Sequence, residues 1–149
     1  MVRLNDTLEV PQSVIDPYGF SEPYWRASRE KRLLLQYCKE SQQFQFYPRP
    51  MSIATGRQTL EWREVDGRGE IYTYSVTRRG FGPFGGHEPY AVVLVRLDAG
   101  VDMLSNLVHC EPAALRVGLR VKPFWKPLDD GRHLLLFAPD EDSGVAVCE

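Results

Sequence analysis

The chain has 149 residues, 43% of them hydrophobic and 26% charged, with a formal net charge of −2. A chain of that length buries roughly two-thirds of its unfolded surface in one ordinary domain, needing no disulfide staple, and its charge balance does not attract polyanions. The first twenty residues lack the apolar core of a signal peptide and no segment approaches the roughly 18 apolar residues of a membrane span, so the expected location is the cytoplasm.

Residues 1 to about 18 are polar, with Pro11 and Pro17 framing "QSVID", and read as an extended arm. Ser21 is placed to cap a helix whose first turn tolerates Pro23, and "EPYWRASREKR" puts Tyr24, Ala27 and Lys31 on one stripe near Phe20. From Leu33 the period changes: "LLLQYC" and "FQFY", parted by the polar "KESQQ", predict a small hairpin with Phe44 and Phe46 alternating against Gln43 and Gln45. "TLEWREVDGRGEIYTYSVTRR" then predicts a second hairpin, turned at Asp66-Gly67 and Arg68-Gly69 by glycines in positive φ.

"RGFGPFGGHEPY" is too broken for a regular element and too aromatic for a plain linker. Further strand patterns follow in "YAVVLVRLD", "VDMLSNLVHC", "LRVKPFWKPL" and "RHLLLFAP", with room for one helical turn in "EPAALRVG" and an acidic tail at the end. Five or six short strands with a helical insertion between the fourth and fifth predict a mainly β chain built on an OB-like Greek-key barrel.

The spacing Cys38-x-x-Ser41 and Ser52-x-x-Thr55 is that of a zinc ribbon in which three thiolates have become hydroxyls. Neutral hydroxyls are poor zinc ligands, and one cysteine cannot hold a structural ion, so no metal or other cofactor is expected here. Cys38, Cys110 and Cys148 share no repeated spacing and suit reduced thiols. His109-Cys110 pairs an imidazole with a thiol, but neighbours in a strand face opposite ways and would not meet. No HExxH, GxSxG, Walker loop or GxGxxG with a following helix is present. The aromatic glycine loop could cover a hydrophobic ligand or dock on a partner. Arg78 and Arg79 at its entrance, with Arg120, Lys122 and Lys126 alternating beside Phe124 and Trp125, could hold a phosphate-bearing nucleotide or single-stranded nucleic acid, or form a solvated face.

The order of "PYWRASREKRLLLQYC", "FYPRP", "GRGEIYTYSV", "LSNLVHCEPAALRVG" and "DDGRHLLLFAP" resembles the zinc-ribbon and OB-fold acyl-CoA-associated family called domain of unknown function, number thirty-five. The resemblance implies an N-terminal arm and helix over 1–32, a rubredoxin-like ribbon over 33–57 with degenerate ligand positions, an OB barrel over 58–140 and a tail over 141–149. It also implies a non-catalytic companion subunit that binds acyl-CoA and docks on a thiolase-like, aldolase or MaoC-type hydratase partner. On that reading Arg78, Arg79, Phe81, Phe84, Tyr90, Trp125 and Lys126 line the acyl-CoA or partner face, and Tyr24, Trp25 and Phe46 form the docking surface. The alternatives are an OB-fold oligonucleotide binder, a subunit of an acyltransferase complex with a residual catalytic role, and a small enzyme using Cys110 or His109.

Overall fold

The computed structural model describes residues 19–141; the arm expected over 1–18, residues 142–149 of the tail and Cys148 lie outside the described residues. A 3-10 turn at Gly19–Ser21 leads into α1 (Glu22–Ser28). Three strands follow, β1 (Leu33–Cys38), β2 (Gln43–Gln45) and β3 (Leu60–Val65), which form an antiparallel sheet in the order β2-β1-β3. The remaining five, β4 (Gly69–Thr77), β5 (Tyr90–Leu97), β6 (Asp102–Leu107), β7 (Arg120–Pro127) and β8 (His133–Pro139), close a barrel in the order β4-β5-β6-β8-β7. The one parallel junction, Leu107 beside Phe137, is the Greek-key closure of an OB fold.

The second hairpin expected from sequence does not form. β3 pairs along its whole length with β1, from Leu33 opposite Val65 to Cys38 opposite Leu60, so the Asp66–Arg68 segment links two sheets instead of reversing within one. Only the first of its glycines has positive φ: Gly67 is at 76°, whereas Gly69 is an ordinary strand residue. The short helical insertion, a 3-10 turn at Pro112–Ala114, consequently falls between the third and fourth barrel strands.

The helix is also shorter than its pattern. It ends at Ser28, and Lys31, expected on the buried stripe, sits exposed at φ 57° while the chain turns into β1. Ser28 ties that end to β8: its hydroxyl donates to the Trp25 carbonyl at 2.6 Å and accepts the His133 N–H at 3.3 Å.

One core serves both sheets. β5 alternates cleanly, sending Ala91, Val93, Val95 and Leu97 inward, where Ile71, Val121 and Phe137 meet them; Leu33 and Leu35 of β1 join the same cluster. β8 is buried on both faces, since Leu136 and Ala138 pack on Val108 while α1 lies across the strand. In β2 the sequence phase is inverted. Gln45 is buried and Phe44 and Phe46 are only half covered, because Gln45 Nε2 donates to Gln36 Oε1 at 2.9 Å and its Oε1 accepts the Ile53 N–H at 2.9 Å. Gln36 adds both halves of a clasp on Arg49, donating to its carbonyl at 2.7 Å and accepting its N–H at 2.8 Å. Two buried amides thus hold the 46–53 loop. Among the described residues no helix is long and apolar enough to cross a membrane.

Candidate functional site

The expected docking residues converge. α1 turns Tyr24 into the core with its ring 5.1 Å edge-on from Trp25 and 6.0 Å from Phe46, which in turn lies 4.2 Å from Tyr47. These rings form one wall of a groove of about 520 Å³, whose other wall is β6 and β8 from Met103 to Asn106 and from Leu134 to Leu136. Burial, with Tyr47 a lesser influence, pushes the Tyr24 phenol well above its usual range. The rim is apolar and open to solvent: Phe20 is 42%, Tyr47 53% and Leu104 60% exposed. Tyr47 and Leu104 were not among the expected residues. Leu104 had a signal, an apolar residue on the outward phase of β6 next to the inward Met103.

The residues expected to face acyl-CoA fall into two groups. Arg78 and Arg79 are exposed just past the end of β4, Phe81 is 85% exposed on the following loop, and Phe84 lies 5.9 Å from Tyr90. The loop is held by Glu88, whose carboxylate accepts the backbone N–H of Gly80 and, at 2.8 Å, that of Gly86; these bonds, Gly80 first, keep it below the usual carboxylate range. Trp125 and Lys126 lie elsewhere, on β7, opposite Leu135 and Leu134 of β8. β7 meets β4 only at Gly69 and Glu70, about 25 Å of strand from the end of β4. Of the other cations on that strand, Arg120 is clasped by Asp98 at 2.6 and 2.8 Å, and Lys122 faces the buried Asp140 at 4.0 Å.

Around Cys38, 2% exposed, the hydroxyl positions gather as their spacing suggested, with one exchange. Thr59, at 3.3 Å from the sulfur, takes the place expected of Thr55, whose own hydroxyl accepts the Arg57 N–H. The Ser41 N–H points at the sulfur from 3.5 Å, and the Ser41 hydroxyl is buried beside it without a well-formed hydrogen bond. Ser41 first, then Ser52 and Thr59, lower the thiol to about 6. This donor set does not fit zinc: one sulfur and neutral hydroxyls cannot balance a divalent ion, and no three His, Cys, Asp or Glu side chains converge among the described residues.

His109 and Cys110 do not lie in a strand, because β6 stops at Leu107 and His109 takes φ 54° with its ring 4.8 Å from Phe124. Cys110 is buried and burial raises its thiol, the opposite of an activated nucleophile.

The description "ChsH2, C-terminal OB-fold domain" matches residues 62–126, which takes in the end of β3 and most of the barrel. A DUF35 domain-containing scaffold protein of Pyrococcus furiosus is 30% identical over 99 residues, 66% of this chain and 73% of that protein. A probable enoyl-CoA hydratase alpha subunit of Thermomonospora curvata is 29% identical over 117 residues, 78% of this chain but only 36% of that longer protein. Among solved structures, a chain of the Ltp2-ChsH2(DUF35) aldolase superposes with a TM-score of 0.74 at 26% identity, covering 84% of this chain and 98% of that one. With its closed five-stranded barrel, its preceding helix and these likenesses along most of its length, the chain belongs to the DUF35 family of OB-fold proteins.

Proposed function

We propose that this chain is a non-catalytic scaffold subunit that docks on an aldolase- or hydratase-type enzyme, the thiolase-like class included, and helps to hold an acyl-CoA thioester in the cytoplasm. The observation that carries the reading is the open apolar rim of Phe20, Tyr47 and Leu104, a contiguous surface of the kind that marks a protein contact. The likeness to nearly the whole of one chain of an aldolase assembly, and to part of a protein named as a hydratase subunit, supports an enzyme of those classes as the partner. The exposed Arg78, Arg79 and Phe81 suit a ligand with phosphates and an apolar arm brought in by that partner.

Rival readings have less support. Arg96 is bound at 2.9 and 3.1 Å by Asp102 and Arg120 by Asp98, so the barrel offers oligonucleotides few unpaired cations. The raised Cys110 thiol gives no nucleophile.

Co-expression with candidate aldolase- and hydratase-type proteins of the same organism, followed by gel filtration, tests the proposal. Co-elution that is lost in Phe20→Asp, with the variant itself still folded, is expected. A chain that elutes alone beside every such candidate, or binds single-stranded oligonucleotide with a steep salt slope, overturns it.

A further inference from the structure

Beside the apolar groove lies a second concavity of about 500 Å³, lined by Glu22, Trp25, Arg26, Arg29, Asp130 and Arg132. The two share Trp25, which lines both and has the Arg132 guanidinium 5.1 Å from its ring centre. Each volume lies within the roughly 300–1,000 Å³ usual for small-molecule sites, and their characters are opposite.

The charges around the second pocket are unequal. Arg132 is committed to Asp130, its Nε at 2.7 Å from Oδ2, which with the Arg132 N–H holds that carboxyl at about 2. Arg26 has only a loose exposed contact with Glu22, at 3.9 Å, worth little in water. Arg29 donates at 2.6 Å to the Asp130 backbone carbonyl, which carries no formal charge. Three guanidinium groups therefore stand against two carboxylates, and the two outer arginines keep donors for an anion.

We propose that groove and pocket together are one site for a single amphiphile, its apolar chain lying against Trp25, Phe46 and Leu104 and its phosphate head on Arg26 and Arg29. The inference rests on the acyl-CoA part of the reading above and gives the ligand a second contact besides Arg78 and Arg79: the groove receives the tail against Leu104, while the exposed faces of Phe20 and Tyr47 are left to meet the partner enzyme. A phosphate suits the head because forked guanidinium donors match its oxygens, and a chain of methylenes suits a groove that offers few polar groups.

Calorimetry on the full chain, with dodecyl phosphate kept monomeric, dodecanol, inorganic phosphate and lauroyl-CoA, tests the site. Dodecyl phosphate is expected to bind more tightly than dodecanol, and inorganic phosphate to bind weakest. Arg26→Gln with Arg29→Gln should weaken dodecyl phosphate on the order of tenfold and leave dodecanol unchanged. Leu104→Glu, at a position already exposed, should abolish both without unfolding the chain. Equal binding of dodecyl phosphate and dodecanol, or indifference to these variants, overturns the inference. So does capture of the chain on phosphatidylglycerol vesicles without monomer binding, or a dimer that Leu104→Glu dissociates, which would assign the groove to a lipid surface or to a second copy. If lauroyl-CoA binds and neither variant weakens it, this site is wrong and the acyl-CoA reading stands. If dodecyl phosphate binds here and lauroyl-CoA does not, the site stands and the acyl-CoA reading fails.

Discussion

Gly69 opens the barrel, and replacing it tests the packing of the closure. It pairs with Leu97 of β5 on one side and Val121 of β7 on the other, so both sheet neighbours fix its backbone. Its φ is not positive, and the constraint is space: a methyl group there would overlap the Arg96 carbonyl oxygen and stand 2.9 Å from Leu97 Cα. These are backbone atoms that cannot rotate aside, so Gly69→Ala must separate β4 from β5 by about 1 Å, at an over-packing cost at the upper end of the usual 1–3 kcal/mol. Gly100, by contrast, is at φ 91° with nothing within 4 Å of its missing Cβ, and Gly100→Ala should cost about 1–2 kcal/mol, from backbone conformation alone. Asparagine separates the two causes, since it tolerates positive φ but still carries a Cβ. Equilibrium urea unfolding should show Gly69→Ala and Gly69→Asn both lowering the midpoint by on the order of 1–2 M at constant m, with Gly100→Asn near the wild type. A Gly69→Asn protein as stable as Gly100→Asn would refute the close-approach argument.

Folding lowers the Cys38 pKa from an ordinary 9.0 to about 6, so the thiolate contributes stability that is complete above about 9 and lost as pH falls through 6. The stability gap between wild type and Cys38→Ser should widen from pH 6 to pH 9; parallel curves, or a thiolate ultraviolet band that titrates in the ordinary range, would count against it. Gln45→Leu leaves the Ile53 N–H and the Gln36 amide short of partners in a buried setting, and should cost about 1–3 kcal/mol by denaturation. Glu88→Gln removes the charge that holds the loop, and amide exchange at Gly80 and Gly86 should quicken several-fold while β5 amides keep their protection. Unchanged exchange at both glycines would mean that the loop is held by something else.

Much of the barrel was legible because each strand carries its own period. The alternation in "YAVVLVRL" marks the inward face of β5 whatever it pairs with, and the turn at Gly100 needs only its local backbone. That Tyr24, Trp25 and Phe46 come together was legible for a similar reason: they are aromatics on short elements, where cover has to come from outside the segment. The sequence could not show that β3 leaves β4 and pairs with β1, since a run such as "LEWREV" states a strand and not its neighbour.

The tertiary structure also decided which polar residues go inside. Gln36 and Gln45 are polar residues of short strands, yet they are buried because each amide meets backbone groups brought in from a loop up to thirteen residues away. Thr59 lies outside the spacing that drew attention to Cys38, and it reaches the sulfur only because β3 is laid against β1. The sequence by itself determined most of the strands and the barrel class, which rest on local periodicity. Only the tertiary structure decided the company those residues keep, including the apolar groove between α1 and the strands β6 and β8, because strand pairing and helix docking depend on contacts far apart in the chain.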